Sequence, residues 1–442
     1  MLPFDLRAKS SHRAARPQPR RGIGLNVARL AFALLLTSSA AVHAQDPSSP
    51  AEPTEEGVSI GGFGFTPTLG LSFGYDDNIT LASRREVSST FWEITPAVRL
   101  VGGSPRSQWT AEWSAAVGRY ADSPIDDYED QRVSLAWDYN PKLRHAFGLD
   151  VSYGWLHDRR GTESREGSLG LLDIEPDEYE RGEFGGNYRF GAPGARGRLE
   201  FDARFGNTQY TNNEAFTESR DRSDQFFAGT FLWRLAPKTS ALVRAEYGTF
   251  DYDESTLDGD ETHLFVGVDL DATARTSGRV MVGRATKHFD DPTRSEFSGT
   301  SWRAGVTWKP RSYSIFDLST GRDADETNGF GDYILRQDIT LGWAHNWNER
   351  FRTTVDGGFA TEEHRPRERE DDVRFFGVSA DYLFRPWLRF GASVKRYERD
   401  SNIEDLDYEV LAFRPTLEKK DMAGIAIRSL FSFGRRFIRG EV

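Results

Sequence analysis

From about residue 63 onward the chain alternates apolar and polar positions with period two, the mark of strands with one apolar face. Trp92, Ile94, Pro96, Val98 and Leu100 alternate with Glu93, Thr95 and Arg99. Trp109, Ala111, Trp113, Ala115 and Val117 alternate with Gln108, Thr110, Glu112 and Ser114. Phe147, Leu149, Val151, Tyr153 and Trp155 do so against Gly148, Asp150, Ser152 and Gly154. The same pattern recurs around Val133–Tyr139, Leu264–Leu270, Trp302–Trp308 and Phe376–Phe384.

The connections between these segments come in two kinds. Short turns carrying Lys or Arg (Val101–Ser107, Asn140–Arg144, Gly191–Arg196, Ala236–Ser240, Thr273–Arg279, Lys309–Arg311, Asn346–Arg350 and Phe384–Trp387) take turns with longer, mostly acidic stretches such as Asp122–Asp130, Asp251–Glu261 and Asp323–Asp332. Eight short turns and nine longer connections predict 18 strands. Short turns at one end, long loops at the other and dyad-repeat strands between them predict an all-β fold: a transmembrane, antiparallel, up-and-down β-barrel of about 18 strands. An even count returns both ends of the barrel to the periplasmic side, and the long loops face outward. Either Tyr408–Thr416 or Ile425–Phe433 can supply the closing strand. The second is preferred here, because Ile425, Ile427, Phe431 and Phe433 share one face. The barrel is then expected over residues 63–433, with a basic tail at Gly434–Val442.

The N-terminus reads differently. Seven basic residues (Arg7, Lys9, Arg13, Arg16, Arg20, Arg21 and Arg29) precede the apolar run Leu30–Leu36, and Val42-His43-Ala44 offers small residues for cleavage. Residues 1–44 are read as a secretory signal, with Gln45 as the mature start. Residues 45–62 are Pro-containing and acidic, and are read as a flexible periplasmic lead-in. Beyond the signal no apolar run approaches the length of a membrane helix. With Cys 0 the chain has no disulfides and no Cys-ligated metal. Removing residues 1–44 takes away seven bases and one acid, Asp5, and moves the net charge from −12 to −18. That balance argues against nucleic acid as a partner. The acidic loops are candidates for divalent cations bridging to anionic surface glycolipid, so membrane lipid and glycolipid are the expected partners. No flat apolar stripe marks a subunit contact, and the default is a monomer.

The polar face of the strands is mixed in sign. Candidate lumen-lining residues are Glu93, Arg99, Glu112, Arg132, Asp138, Asp150, Arg189, Arg204, Arg244, Asp269, Arg303, Asp356, Asp381 and Arg389. Such charges guide a polar solute through a hydrated pore, or they pair across strands and only satisfy the wall. Catalytic, cofactor-binding and metal sites are not expected. His157-Asp158 and His288-Phe289-Asp290 are the nearest approaches to a His/acid pair. Asp251-Tyr252-Asp253 starts like a calcium loop but lacks the glycine at its sixth position.

At Phe65-Thr66-Pro67-Thr68-Leu69, then Tyr75-Asp76-Asp77-Asn78-Ile79, then Ile94-Thr95-Pro96-Ala97-Val98, the chain resembles the outer-membrane porins of the beta-barrel porin 2 group, often found with exopolysaccharide synthesis clusters. The specific part of the resemblance is confined to the first two strands, and it supplies no binding residues. It implies an outer-membrane exit for a secreted polysaccharide, fed by periplasmic export machinery. A tight polar loop start explains Asp76, Asp77 and Asn78 equally well. The alternatives are a general diffusion porin for small solutes and a plugged surface-structural or adhesion barrel.

Overall fold

A computed structural model describes residues 58–420, apart from 61, 274 and 328–330. Its strands are β1 (Val58–Ile60), β2 (Phe63–Asp76), β3 (Ser89–Ser104), β4 (Ser107–Tyr120), β5 (Tyr128–Lys142), β6 (His145–Asp158), β7 (Asp177–Phe190), β8 (Gly197–Tyr210), β9 (Arg222–Ala236) and β10 (Thr239–Tyr252). They continue as β11 (Gly259–Thr273), β12 (Thr276–Phe289), β13 (Phe297–Arg311), β14 (Ser314–Glu326), β15 (Tyr333–Asn346), β16 (Phe351–Arg365), β17 (Arg369–Arg385), β18 (Leu388–Ser401) and β19 (Tyr408–Lys420). Strands β2 to β19 pair with their sequence neighbours, all antiparallel, and β19 pairs with β2. The result is a closed barrel of 18 strands. Closure is what a β-structure needs in hydrocarbon, where no water is available to an open edge.

The closing strand is where the structure departs from expectation. Tyr408–Lys420 seals the barrel, with Phe413 opposite Tyr75, Leu417 opposite Leu71 and Lys420 opposite Thr68. The preferred 425–433 lies outside the described residues, as do the signal segment 1–44, the tail 434–442 and most of the lead-in. The last residues of that lead-in form β1, which pairs with the start of β2. The period-two pattern fits both candidates for closure, and only pairing with β2 separates them.

The apolar face of the wall is turned outward. On β6, Phe147, Leu149, Val151, Tyr153 and Trp155 are all exposed, and Leu264 and Val266 on β11 are each 56% exposed. Rows of exposed apolar side chains match lipid as the solvent. Aromatic rings gather towards the turns: Trp109 stacks on Trp137 at 5.2 Å, and Phe316 lies between Trp308 and Trp343. The barrel strands run from 13 to 17 residues, more than the roughly 9–11 that cross a bilayer. Since the turn ends sit at an aromatic girdle, the excess projects on the loop side.

One seam is incomplete. The β13–β14 ladder stops at Trp302 opposite Arg322, while the β14–β15 ladder continues to Glu326 opposite Tyr333. Above that point Ala324 and Tyr333 pack with Tyr252, Ala285, Phe289 and Phe297. Ala285 and Phe289 share the inner face of β12 with Met281, opposite the exposed Val280 and Val282. The outer end of the β14–β15 hairpin therefore lies inside the line of β13.

Candidate functional site

The polar face is the concave one. Arg303 on β13 reaches Glu246 on β10 at 2.8 Å, three strands along the wall, a span that side chains close only where they converge. Arg303 also pairs with Asp323, and Arg244 with Glu246 at 2.6 Å and Asp202 at 3.2 Å. Arg132 bonds Ser152 and Glu183, each at 3.0 Å. Asp269 pairs with Arg279 at 2.7 Å, and Arg389 approaches Glu418 at 3.7 Å. Glu93 accepts hydrogen bonds from Tyr128 Oη and Arg414. Arg99 stands opposite Glu112, and Arg189 opposite Glu200.

The remaining candidates share another device. Asp138 faces Gly148, Asp150 faces Gly185, Asp356 faces Gly377 and Asp381 faces both Arg352 and Gly391. Arg204 faces the same Gly185 from β8. At Gly185 a Cβ would fall 2.4 Å from the Asp150 carboxylate, and at Gly377 2.9 Å from that of Asp356. The missing side chain lets these carboxylates lie against the wall.

The most constrained polar groups are ones that the strand pattern does not mark. The connection between β6 and β7, residues 159–176, does not splay outward but folds across the outer mouth as a strap. Arg159 Nε donates to Ile79 O at 2.7 Å, and its Nη2 donates to Asp76 at 2.9 Å and to Asn78 O at 2.8 Å. Arg160 forks onto Asp126, with Nε to Oδ1 at 2.7 Å and Nη2 to Oδ2 at 2.5 Å. Arg165, 1% exposed, pairs with Asp177 at 3.0 Å. Arg220, in the β8–β9 connection, holds Asp158 at 3.0 Å and Glu163 at 3.2 Å. At the far side Glu166 receives Arg369 Nη1 at 2.7 Å and Arg399 Nη1. Counted through β5, β4, β3, β2 and β19, β18 is the sixth strand from β6, so this contact spans the opening.

Two glycines allow the strap to lie so close. Gly161 has φ +80°, and a Cβ there would fall 1.8 Å from Thr80 O; Gly167 has φ +62°, and its Cβ would fall 2.9 Å from Asp405 O. The sequence signal was faint: Arg159, Arg160 and Arg165 stand among the acids of this loop, as Arg84 and Arg85 do in the first.

Burial alone would raise the Glu166 pKa, but the guanidiniums of Arg399 and Arg369 outweigh it and hold the carboxyl below its usual range. For Glu163 burial wins over Arg220, with Asp158 and Glu166 adding to it, and the pKa is raised.

A second buried network lies under the β14–β15 hairpin. Lys287, 2% exposed, pairs with Glu326 and with Glu261 at 3.4 Å. Tyr252 Oη donates to Glu326 at 2.8 Å and accepts from Arg222 at 2.7 Å. Only one group of residues has the make-up of a metal site among the described residues: Glu362, His364 and Asp371, with ligand-type atoms within 4.8 Å of one another. Arg369 already forks onto Asp371, and Arg336 pairs with Glu362, so guanidinium charge fills the role of a cation there. The histidines of the two His/acid motifs meet other acids than their sequence neighbours: His157 bonds Asp130 at 2.8 Å and stacks on Tyr128, and His288 meets Glu296 at 3.1 Å.

A closed barrel with a lipid-compatible exterior and a polar interior is the architecture of an outer-membrane channel. The family model Putative beta-barrel porin 2 matches residues 50–418. The chain belongs to this porin family. No curated protein matches it. Among solved structures, OpdK of Pseudomonas aeruginosa with vanillate is 10% identical, covering 80% of this chain and 98% of that one at a TM-score of 0.46. OpdL of the same organism is 12% identical over 80% and 98%, at 0.44. A bacterial polysaccharide outer membrane secretin is 7% identical over 80% and 97%, at 0.36. None of these likenesses bears on what passes through this porin.

The porin's Tyr75–Ile79 motif is structural. Asp76 Oδ1 accepts Asn78 N at 3.0 Å, and Asn78, fully buried, ties Ala82 N at 3.0 Å, Ala82 O at 2.8 Å and Glu409 O at 3.1 Å.

Proposed function

We propose that this porin is a passive, non-enzymatic conduit by which an exopolysaccharide leaves the cell. One observation carries the reading: the charges of the inner face are largely met by neighbours in the wall or lie flat over glycines. A wall of that kind offers a moving polymer exchangeable hydrogen bonds without a tight site at which it would stall. Synthesis and drive would come from inner-membrane and periplasmic partners, and the chain would arrive through a cleaved signal at residues 1–44. The strap across the outer mouth favours a second reading, a diffusion porin for small solutes.

Deleting the gene and weighing polysaccharide separately at the cell surface and in the periplasm tests the first reading. Loss outside with retention inside, restored by the intact gene, is the expected result. Unchanged secretion overturns it and leaves the small-solute porin.

A further inference from the structure

The strap is held by charge rather than by an apolar core. Its buried residues are Arg160, Gly161, Ser164, Arg165, Gly167, Gly170 and Pro176, while Leu172 is exposed. Its far end is fixed by one carboxylate, Glu166, seated between two guanidiniums. Those guanidiniums are themselves built in. Arg369 is braced on Asp371, which also accepts Ser401 Oγ at 2.6 Å, and Arg399 Nε donates to Leu406 O at 2.8 Å. Arg399 is 7% exposed, and its Nη2 is buried without a hydrogen-bond partner. A buried guanidinium with an unused donor is a site not yet saturated.

We propose that Arg369 and Arg399 form a binding site for a carboxylate group of the transported molecule, and that Glu166 occupies it as an internal stand-in while the outer mouth is closed. A carboxylate-bearing saccharide entering the fork would displace Glu166. It would gain the unused Arg399 donor and free the strap to move aside. A neutral sugar has no group that competes with Glu166 for two fixed positive charges. The inference rests on the conduit reading and narrows its cargo to acidic polymers.

Tryptic cleavage of the strap in the purified, detergent-solubilised mature protein tests it. Arg165 is sealed in the docked state, so cleavage there reports release. The probes are oligo-glucuronate, monomeric glucuronate and maltohexaose, at matched ionic strength. Oligo-glucuronate is expected to speed cleavage at Arg165 at least fivefold, the monomer to do so only at higher concentration, and maltohexaose to have no effect. Glu166→Gln and Arg399→Gln are expected to be cleaved fast without any sugar and to lose the response to glucuronate. Both must keep the heat-modifiable gel mobility of a folded barrel; if either does not, the three sugars on the unaltered protein decide alone. Equal rates with charged and neutral sugars, or a folded Glu166→Gln strap as protected as the original, overturn the proposal. The secretion experiment fails or succeeds independently of these rates, so the site and the conduit reading are separately testable.

Discussion

Asp77 Oδ1 accepts the backbone N–H of Leu411 at 2.8 Å, joining the first loop to the last strand. It does so just past the end of a ladder that reaches Ala412 opposite Asp76 and is interrupted between Phe413 opposite Tyr75 and Thr416 opposite Ser72. Asn78 adds a bond to Glu409 O at 3.1 Å. Asn78→Ala strands several buried partners and is expected to cost about 1–3 kcal/mol. Asp77→Ala, at a more exposed bond, is expected to cost about 1 kcal/mol. The temperature at which the folded gel band disappears should fall for both, and further for Asn78→Ala. An unchanged midpoint for Asn78→Ala would remove the motif from the closure of the barrel.

The strap should respond to pH in two stages. Glu163 has a raised pKa when docked, so its contribution is full below the unfolded carboxylate value, about 4.3, and is lost as pH rises through the raised value. Glu166 has a lowered pKa, so its contribution is full above that unfolded value and is lost as pH falls through the docked one. Acidification from neutrality should first tighten the strap and release it only below the ordinary carboxylate range. Single-channel conductance in planar bilayers reads this as a slight fall followed by a rise. The rise should be missing in Glu166→Gln, whose strap has no charge left to lose.

Lys287 is enclosed by Glu261 and Glu326. Lys287→Ala leaves both carboxylates without their cation and is expected to destabilise the barrel by about 3–5 kcal/mol. Urea unfolding in detergent micelles measures the loss. A double replacement, Lys287→Met with Glu326→Gln, should recover part of it, and failure to do so would point to packing rather than charge.

Gly185→Ala should change selectivity more than stability. The added Cβ meets the movable end of Asp150, 2.4 Å away, and tips that carboxylate into the lumen. The reversal potential across a salt gradient is expected to shift towards cation preference, while the folded gel band keeps its midpoint within about 0.5 kcal/mol.

The number and direction of the strands were legible because each strand declares its apolar face locally, in rows such as Phe147 to Trp155. Turn length then gave the alternation of ends. Closure was not legible in the same way. Tyr408–Lys420 and residues 425–433 both alternate, and what chooses between them is pairing with Phe63–Asp76, more than 300 positions away in the chain. The strap was missed for a related reason. A polar loop has the same composition whether it projects into water or folds inward, and the partners of Glu166 lie 203 and 233 positions further on. The arginines at 159, 160 and 165 were its one local trace.

Those separations bear on how the protein is made. The anchors of the strap that lie farthest from it in the chain are the first loop and the last strands: Asp76 and Asn78 at one end, Arg369 and Arg399 at the other. Until the closing strands stand beside the first ones, Glu166 cannot reach Arg369 and Arg399. During insertion the strap's end would therefore hang loose, and the barrel would pass through a stage with an open, leaky outer mouth. Docking of the strap comes after the wall is complete, and the porin seals itself only once its biogenesis has finished.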